Sequence, residues 1–131
     1  MKVTKIKAAV HDDRGEITDI LAKDPIDFVT IITSKKGSTR GNHYHKLTYQ
    51  YVYVLTGSIR ALAQHGDGPV EAVVLQPGDL LLNVPYEKHA LEALADSEFL
   101  VLTKGPRGAE DYETDTYRLT SPLKAPSTVS S

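Results

Sequence analysis

The sequence contains no cysteine. This excludes disulfides and thiolate metal sites and is compatible with a reducing compartment. It also lacks long hydrophobic runs, and its apolar stretches fall far short of a bilayer's thickness. The opening MKVTKIKAAVHDDRG carries basic residues with no continuous apolar stretch after them, so it does not read as a signal peptide. A large excess of one sign of charge is missing too. The formal net charge is -2 with both signs scattered, and no basic stripe could track a phosphate backbone. Helical periodicity is nearly absent. The expectation is a soluble, cytoplasmic protein with neither nucleic acid nor membrane as partner.

What is present is a β pattern. The 131 residues suit one domain able to bury a real core. Short runs of β-branched and aromatic residues recur between turn signals. The sequence predicts strands over 2–8, 16–21, 26–34, 41–46, 48–56, 59–64, 70–75, 80–84, 89–94 and 98–104. The turns fall at Asp12-Asp13-Arg14-Gly15, Lys35-Lys36-Gly37, Gly57-Ser58, His65-Gly66-Asp67-Gly68 and Pro77-Gly78-Asp79. Such spacing fits an all-β jelly-roll barrel of about eight to ten strands. Residues 1–120 are read as the domain. The Ser- and Pro-rich 121–131 is read as a disordered tail.

The chemistry concentrates in Gly37-Ser38-Thr39-Arg40-Gly41-Asn42-His43-Tyr44-His45. Side chains at i and i+2 of an extended segment share a face. His43 and His45 therefore point one way, and Tyr44 points the other. Gln50 lies on the next strand, and His89 arrives from a distant segment after Val84-Pro85.

These residues resemble the cupin superfamily. Gly37, His43, His45 and Gly57 fall on the first cupin motif, with Gln50 where a glutamate is usual. Pro77-Gly78-Asp79, Val84-Pro85 and His89 fit the second. Two departures stand out: Tyr86 or Glu87 occupies the place of a usual glycine, and Ala93 that of a frequent asparagine. The resemblance implies a cupin double-stranded β-helix. It also implies that His43, His45, Gln50 and His89 are the divalent-metal ligands, for Zn, Mn, Fe or Ni. Gln in place of Glu removes one negative charge and lowers affinity for a dication. The same histidines can equally act as acid–base or binding groups without a metal.

Two stretches narrow the resemblance. Asp12-Asp13-Arg14-Gly15 before Ile17-Thr18 is similar to the opening of cupins that modify nucleotide sugars. Arg40-Gly41-Asn42-His43-Tyr44-His45-Lys46 resembles the dTDP-4-keto-6-deoxy-sugar 3,4-ketoisomerases and the C-terminal cupin domain of capsular-polysaccharide synthesis enzymes. Gln50 matches the metal-free ketoisomerases, while Asn42-His43-Tyr44-His45 matches the zinc-holding capsular group. The segment from Glu110-Asp111-Tyr112 to Tyr117 loosely resembles the ketoisomerase tail. The resemblance implies an isomerase or epimerase acting on a keto sugar nucleotide in polysaccharide biosynthesis. His43 would be the base and His45 its partner. Arg40 would hold a diphosphate or an enolate oxygen, and Asn83 and Tyr86 would line the mouth.

Two other readings remain beside this one. One is a metal-dependent cupin of dioxygenase or decarboxylase type, and the other a non-catalytic module binding a sugar or other small molecule. Tyr49, Tyr51 and Tyr53 alternate with Gln50, Val52 and Val54 and so face outward. They are a candidate homodimer interface unless the N-terminal strand covers them. Leu62, Val73, Leu81 and Leu100 are core candidates. Lys46 and Lys88 are read as solvated, and His11 and His65, in turns, receive no role.

Overall fold

Alternation along one strand shows how the layers form. In β6 (Tyr49–Thr56) Gln50, Val52 and Val54 are buried, and the tyrosines between them are not. The computed structural model describes residues 1–106 and 113–126, and among these it places twelve strands. They are β1 (Lys2–Lys5), β2 (Val10–Asp12), β3 (Gly15–Ile17), β4 (Phe28–Ser34), β5 (Thr39–Tyr44), β6, β7 (Ile59–Gln64), β8 (Glu71–Leu75), β9 (Asp79–Asn83), β10 (Lys88–Ala93), β11 (Ser97–Lys104) and β12 (Tyr117–Arg118). Two five-stranded antiparallel sheets, β1-β9-β6-β11-β4 and β12-β5-β10-β7-β8, face each other, and β2 and β3 form a separate hairpin. The fold is the jelly roll expected from the sequence. Among the described residues no helix is long and apolar enough to cross a membrane.

The two inner faces meet in one core. Val52, Val54, Leu81, Phe99 and Val101 come from the first sheet, and Ile59, Ala61, Leu75 and Ala93 from the second. Burial of these side chains is the main drive for closing the sheets. Along β6 the inward residues grade from Gln50 to Val54. One end of the barrel is therefore closed by hydrocarbon, and the other is left for polar groups.

The structure corrects the sequence reading in places. The first predicted strand stops at Lys5, and the second becomes the hairpin β2–β3 around Asp12-Asp13-Arg14-Gly15. There Asp12 accepts a hydrogen bond from the Arg14 backbone at 2.9 Å and from its guanidinium at 2.7 Å. This local side-chain bonding favours a turn over a continued strand. Strand β12 was not anticipated. Leu100 pairs with Tyr53 on the outer face and is only partly buried, whereas Leu62 and Leu81 are fully buried. The outward tyrosines are as expected, but β1 extends the sheet beside β9 rather than covering them. Tyr51 instead donates its hydroxyl to Asp24.

Residues 119–124 return over the barrel, and the Leu123 N–H donates to Asn42 Oδ1 at 2.8 Å. The remainder of the predicted tail, 127–131, and Glu110-Asp111-Tyr112 lie outside the described residues.

Candidate active site

Three imidazoles converge at the polar end. His43 belongs to β5, His45 follows it, and His89 belongs to β10, directly opposite His43 in the sheet register. The ring centroids of His43 lie 4.8 Å from those of both His45 and His89, and the latter two are 5.1 Å apart. All three are buried, at 7%, 2% and 4% exposure. Close approach of β5 and β10 makes this possible. A Cβ on Gly41 would sit 2.9 Å from the His89 carbonyl oxygen and 3.1 Å from the Ala90 Cα. Gly41 also has φ +95°, which L side chains rarely adopt.

Two of the rings have their tautomers set by backbone carbonyls. His89 Nδ1 donates to the Glu87 carbonyl at 3.0 Å, and His45 Nδ1 donates to the Asp115 carbonyl at 2.8 Å. A carbonyl only accepts, so each Nδ1 carries a hydrogen. In the neutral rings Nε2 then bears the lone pair. Gln50 lies beside His45, 3.3 Å between Oε1 and Nε2. A His45 protonated at Nε2 donates to that oxygen, whereas a neutral ring requires the amide to present its NH2 group instead.

Asp115 comes from a segment to which the sequence reading gave no role in the site. Its carboxylate accepts from the backbone N–H groups of Lys46, Leu47 and Thr48 at 2.9, 2.8 and 3.0 Å, and from the Thr48 hydroxyl at 2.9 Å. Burial pushes the Asp115 carboxyl up, but the four donors outweigh it and hold it below the ordinary carboxylate range. The strap then pairs as β12 along β5, placing Arg118 opposite His43. Tyr117 stacks on Tyr44 at 5.3 Å, with the Lys46 ammonium 4.2 Å above its ring.

His43 and His89 border a cavity of about 480 Å³ between the sheets, and the His45 ring packs against both of them. Its wall is apolar at Ile32, Val52, Leu91, Phe99 and Val101, and polar at Gln50, Asn83, Thr103, Arg40 and Arg118. This is a volume for a small organic ligand gripped by a few polar groups. Arg40 lines the rim, with its guanidinium held by Ser34 Oγ and the Thr33 carbonyl, both at 2.8 Å. Asn83 is 3% exposed and lines the wall, paired with Gln50 across β6 and β9.

Tyr86 is not among the residues lining this cavity. It is 62% exposed, stacks on Tyr44 and adopts φ 68°. The second motif's usual glycine is therefore replaced here by a tyrosine in the left-handed region. A hydrogen bond of 2.6 Å from its N–H to the His45 carbonyl anchors it. Glu87, also unassigned from sequence, is 0% exposed.

The nitrogen donors of His43, His45 and His89 all lie within 4.8 Å of one another. Neutral imidazoles whose far N–H is tied to a carbonyl are the usual supports of a metal-ligating histidine, so the donor set fits a divalent ion.

Two facing antiparallel sheets, with one histidine in β5, a second just after it and a third from β10 at one open end, define a cupin. Residues 10–117 match the family described as "Polysaccharide biosynthesis C-terminal domain", and the chain belongs to that family. Among solved structures it is similar to the sugar 3,4-ketoisomerase QdtA from Thermoanaerobacterium thermosaccharolyticum in complex with TDP. The identity is 27% and the TM-score 0.75, over 91% of this chain and 88% of that one. The TDP-quinovose 3,4-ketoisomerase WlaRB from Campylobacter jejuni shares the fold at 20% identity and TM-score 0.76, over 90% and 92% of the two chains. So does dTDP-4-dehydrorhamnose 3,5-epimerase from Sulfolobus tokodaii, at 20% identity and TM-score 0.65, over 76% and 68%. No curated protein matches the chain in sequence.

Proposed function

We propose that this protein is a cytoplasmic isomerase or epimerase of a keto sugar nucleotide, working by histidine acid–base catalysis. The observation that carries this reading is the buried histidine trio, two of whose members, His43 and His89, line a cavity otherwise suited to a sugar. QdtA, with which the chain shares 26–29% identity, has been solved with TDP and with TDP-4-keto-6-deoxyglucose.

The chemistry is a short series of proton transfers. His43 takes the proton from the carbon next to the ketone. The C–H electrons form a carbon–carbon double bond, and the former carbonyl oxygen becomes an enolate. His45, protonated at Nε2 for this step with its Nδ1–H on the Asp115 carbonyl, supplies that proton to the oxygen, giving an enediol. Return of a proton to the former carbonyl carbon, with loss of the neighbouring hydroxyl proton, moves the ketone by one position. Return to the original carbon from its other face inverts it. Histidine suits both steps because its ordinary pKa lies near neutrality. Arg40, at the rim, would meet the diphosphate.

The test is incubation with TDP-4-keto-6-deoxyglucose in D2O. Wild-type protein should wash deuterium into the sugar, and His43→Ala should lose at least a hundred-fold in that rate while still binding TDP. No exchange and no turnover by the wild type would refute the reading, and binding alone would leave a non-catalytic module.

A divalent ion at His43, His45, His89 and Gln50 is the second reading, favoured by the two carbonyl-tied imidazoles. Bound there, it would polarise a substrate oxygen. The assembly proposed is a homodimer through the outer face of the first sheet. Val29 and Ile31 on the edge strand β4 are 65% and 63% exposed and extend the apolar row of Leu100, Leu102, Tyr51 and Tyr53. β4 carries no charge to guard its open edge. Sedimentation should show a dimer that Ile31→Glu dissociates, and a wild-type monomer would refute it.

A further inference from the structure

Glu87 lies behind the cavity wall, and its carboxylate is fully buried. Oε1 accepts from Asn83 Nδ2 at 2.8 Å. Oε2 meets His65 Nε2 at 2.7 Å and the Met1 amino group. A buried carboxylate is costly unless donors surround it, and here it has three. The arrangement has a consequence for Asn83. An ionised carboxylate only accepts, so Asn83 must offer it the NH2 end of the amide. The opposite flip would set two oxygens against each other at hydrogen-bond distance. The carbonyl end, Oδ1, is then the end left for the cavity, beside the amide of Gln50.

We propose that Glu87 is a positioning residue that locks the Asn83 amide so that its oxygen, and not its NH2 group, faces the cavity and accepts a hydrogen bond from a substrate hydroxyl. This rests on the reading of the cavity as a sugar site. The preferred substrate then carries a hydroxyl where it meets Asn83, and analogues bearing only an acceptor there are rejected. A site built around one hydrogen bond discriminates strongly against a partner that cannot make it.

The geometry supplies an isosteric inversion. In Glu87→Gln the amide oxygen must stay with His65 and the Met1 amino group, both donors. Its Nε2 then faces Asn83, which flips and turns its NH2 group into the cavity. In Asn83→Asp two carboxylates oppose each other. The double variant Asn83→Asp with Glu87→Gln restores both the buried hydrogen bond and an acceptor toward the cavity.

Two measurements test this. The first needs no substrate. The Asn83 side-chain NH2 signals should exchange slowly with solvent in the wild type and at least about ten-fold faster in Glu87→Gln, because the group moves from a buried carboxylate to a solvated cavity. The second uses TDP-4-keto-6-deoxyglucose. KM should rise on the order of ten-fold in each single variant, with kcat changed less and the affinity for TDP unchanged. The double variant should recover most of the loss, which a merely structural role for Glu87 would not produce. Rapid exchange of the Asn83 NH2 group in the wild type would overturn the proposal. So would a double variant no better than the worse single one. Failure of the wild type to bind or turn over the sugar nucleotide would instead defeat the sugar-site reading, while the exchange measurement still judged the amide lock.

Discussion

Replacing Asp115 with alanine should loosen the strap that holds His45. The change removes four hydrogen bonds to one carboxylate. Lys46 and Leu47 are exposed, so water can replace the carboxylate at their N–H groups. Thr48 is 1% exposed, and its N–H would be left without that acceptor. A buried donor stripped of its partner costs about 1–3 kcal/mol, and bonds to a charged group exceed neutral ones. Asp115 also sits at φ 64°, where a side chain that cannot bond locally, such as alanine, costs roughly 1 kcal/mol more. The total is about 2–4 kcal/mol, within the roughly 5–15 kcal/mol that holds a domain together. Guanidinium unfolding at pH 7 should therefore show a folded but clearly weakened protein with an unchanged denaturant slope.

The same carboxylate sets a pH signature. Its folded-state pKa is depressed below 3.8. The stabilisation is complete above the unfolded value and is lost as pH falls through the folded one. Wild type should lose more stability than Asp115→Asn on acidification across that window. Nitrogen shifts of His45 should report the Nδ1–H tautomer in wild type and a mixture in Asp115→Ala. A stability loss below about 1 kcal/mol, with the tautomer unchanged, would refute the reasoning.

Three further outcomes follow from named contacts. Gly41→Ala should cut turnover on the order of ten-fold, because the new Cβ presses on the His89 backbone; crystallography should show His89 displaced, and an unmoved ring would count against this. Tyr51 is pushed up to about 12 by its hydrogen bond to Asp24 and by burial; the unfolded chain releases that proton near 10, so stability should fall between about pH 10 and 12, and Tyr51→Phe should flatten the fall in an alkaline denaturation series. If Gln50 joins a metal centre, Gln50→Glu adds a negative charge and should tighten Zn2+ binding at least about ten-fold by titration; equal affinity would remove Gln50 from the coordination sphere.

The barrel was legible because period-two alternation leaves a mark on every strand. In β6 the pattern Tyr-Gln-Tyr-Val-Tyr-Val already separates the two faces. The histidine trio was legible from the i, i+2 spacing of His43 and His45 and from the offset to His89. The strap left no such mark, since Asp115 reaches His45 through a backbone carbonyl, a group every residue carries. Its carboxylate binds three successive N–H groups, and nothing in the sequence distinguishes those from any other turn. Glu87 was hidden for a different reason. Charge argues for the surface, and only the arrival of Met1, His65 and Asn83 from separate parts of the chain makes its burial tolerable.

Those two omissions share a cause with consequences for the site. Most side chains around the cavity come from strands, whose geometry the sequence announces. The tautomers of His45 and His89 and the flip of Asn83 are decided one layer further out, by Asp115 and Glu87. Their orientation decides whether the cavity offers lone pairs or protons at a given atom, and hence what it can take from a bound molecule. Cupins with the same histidine pair but different residues in that outer layer can therefore perform different chemistry on one barrel.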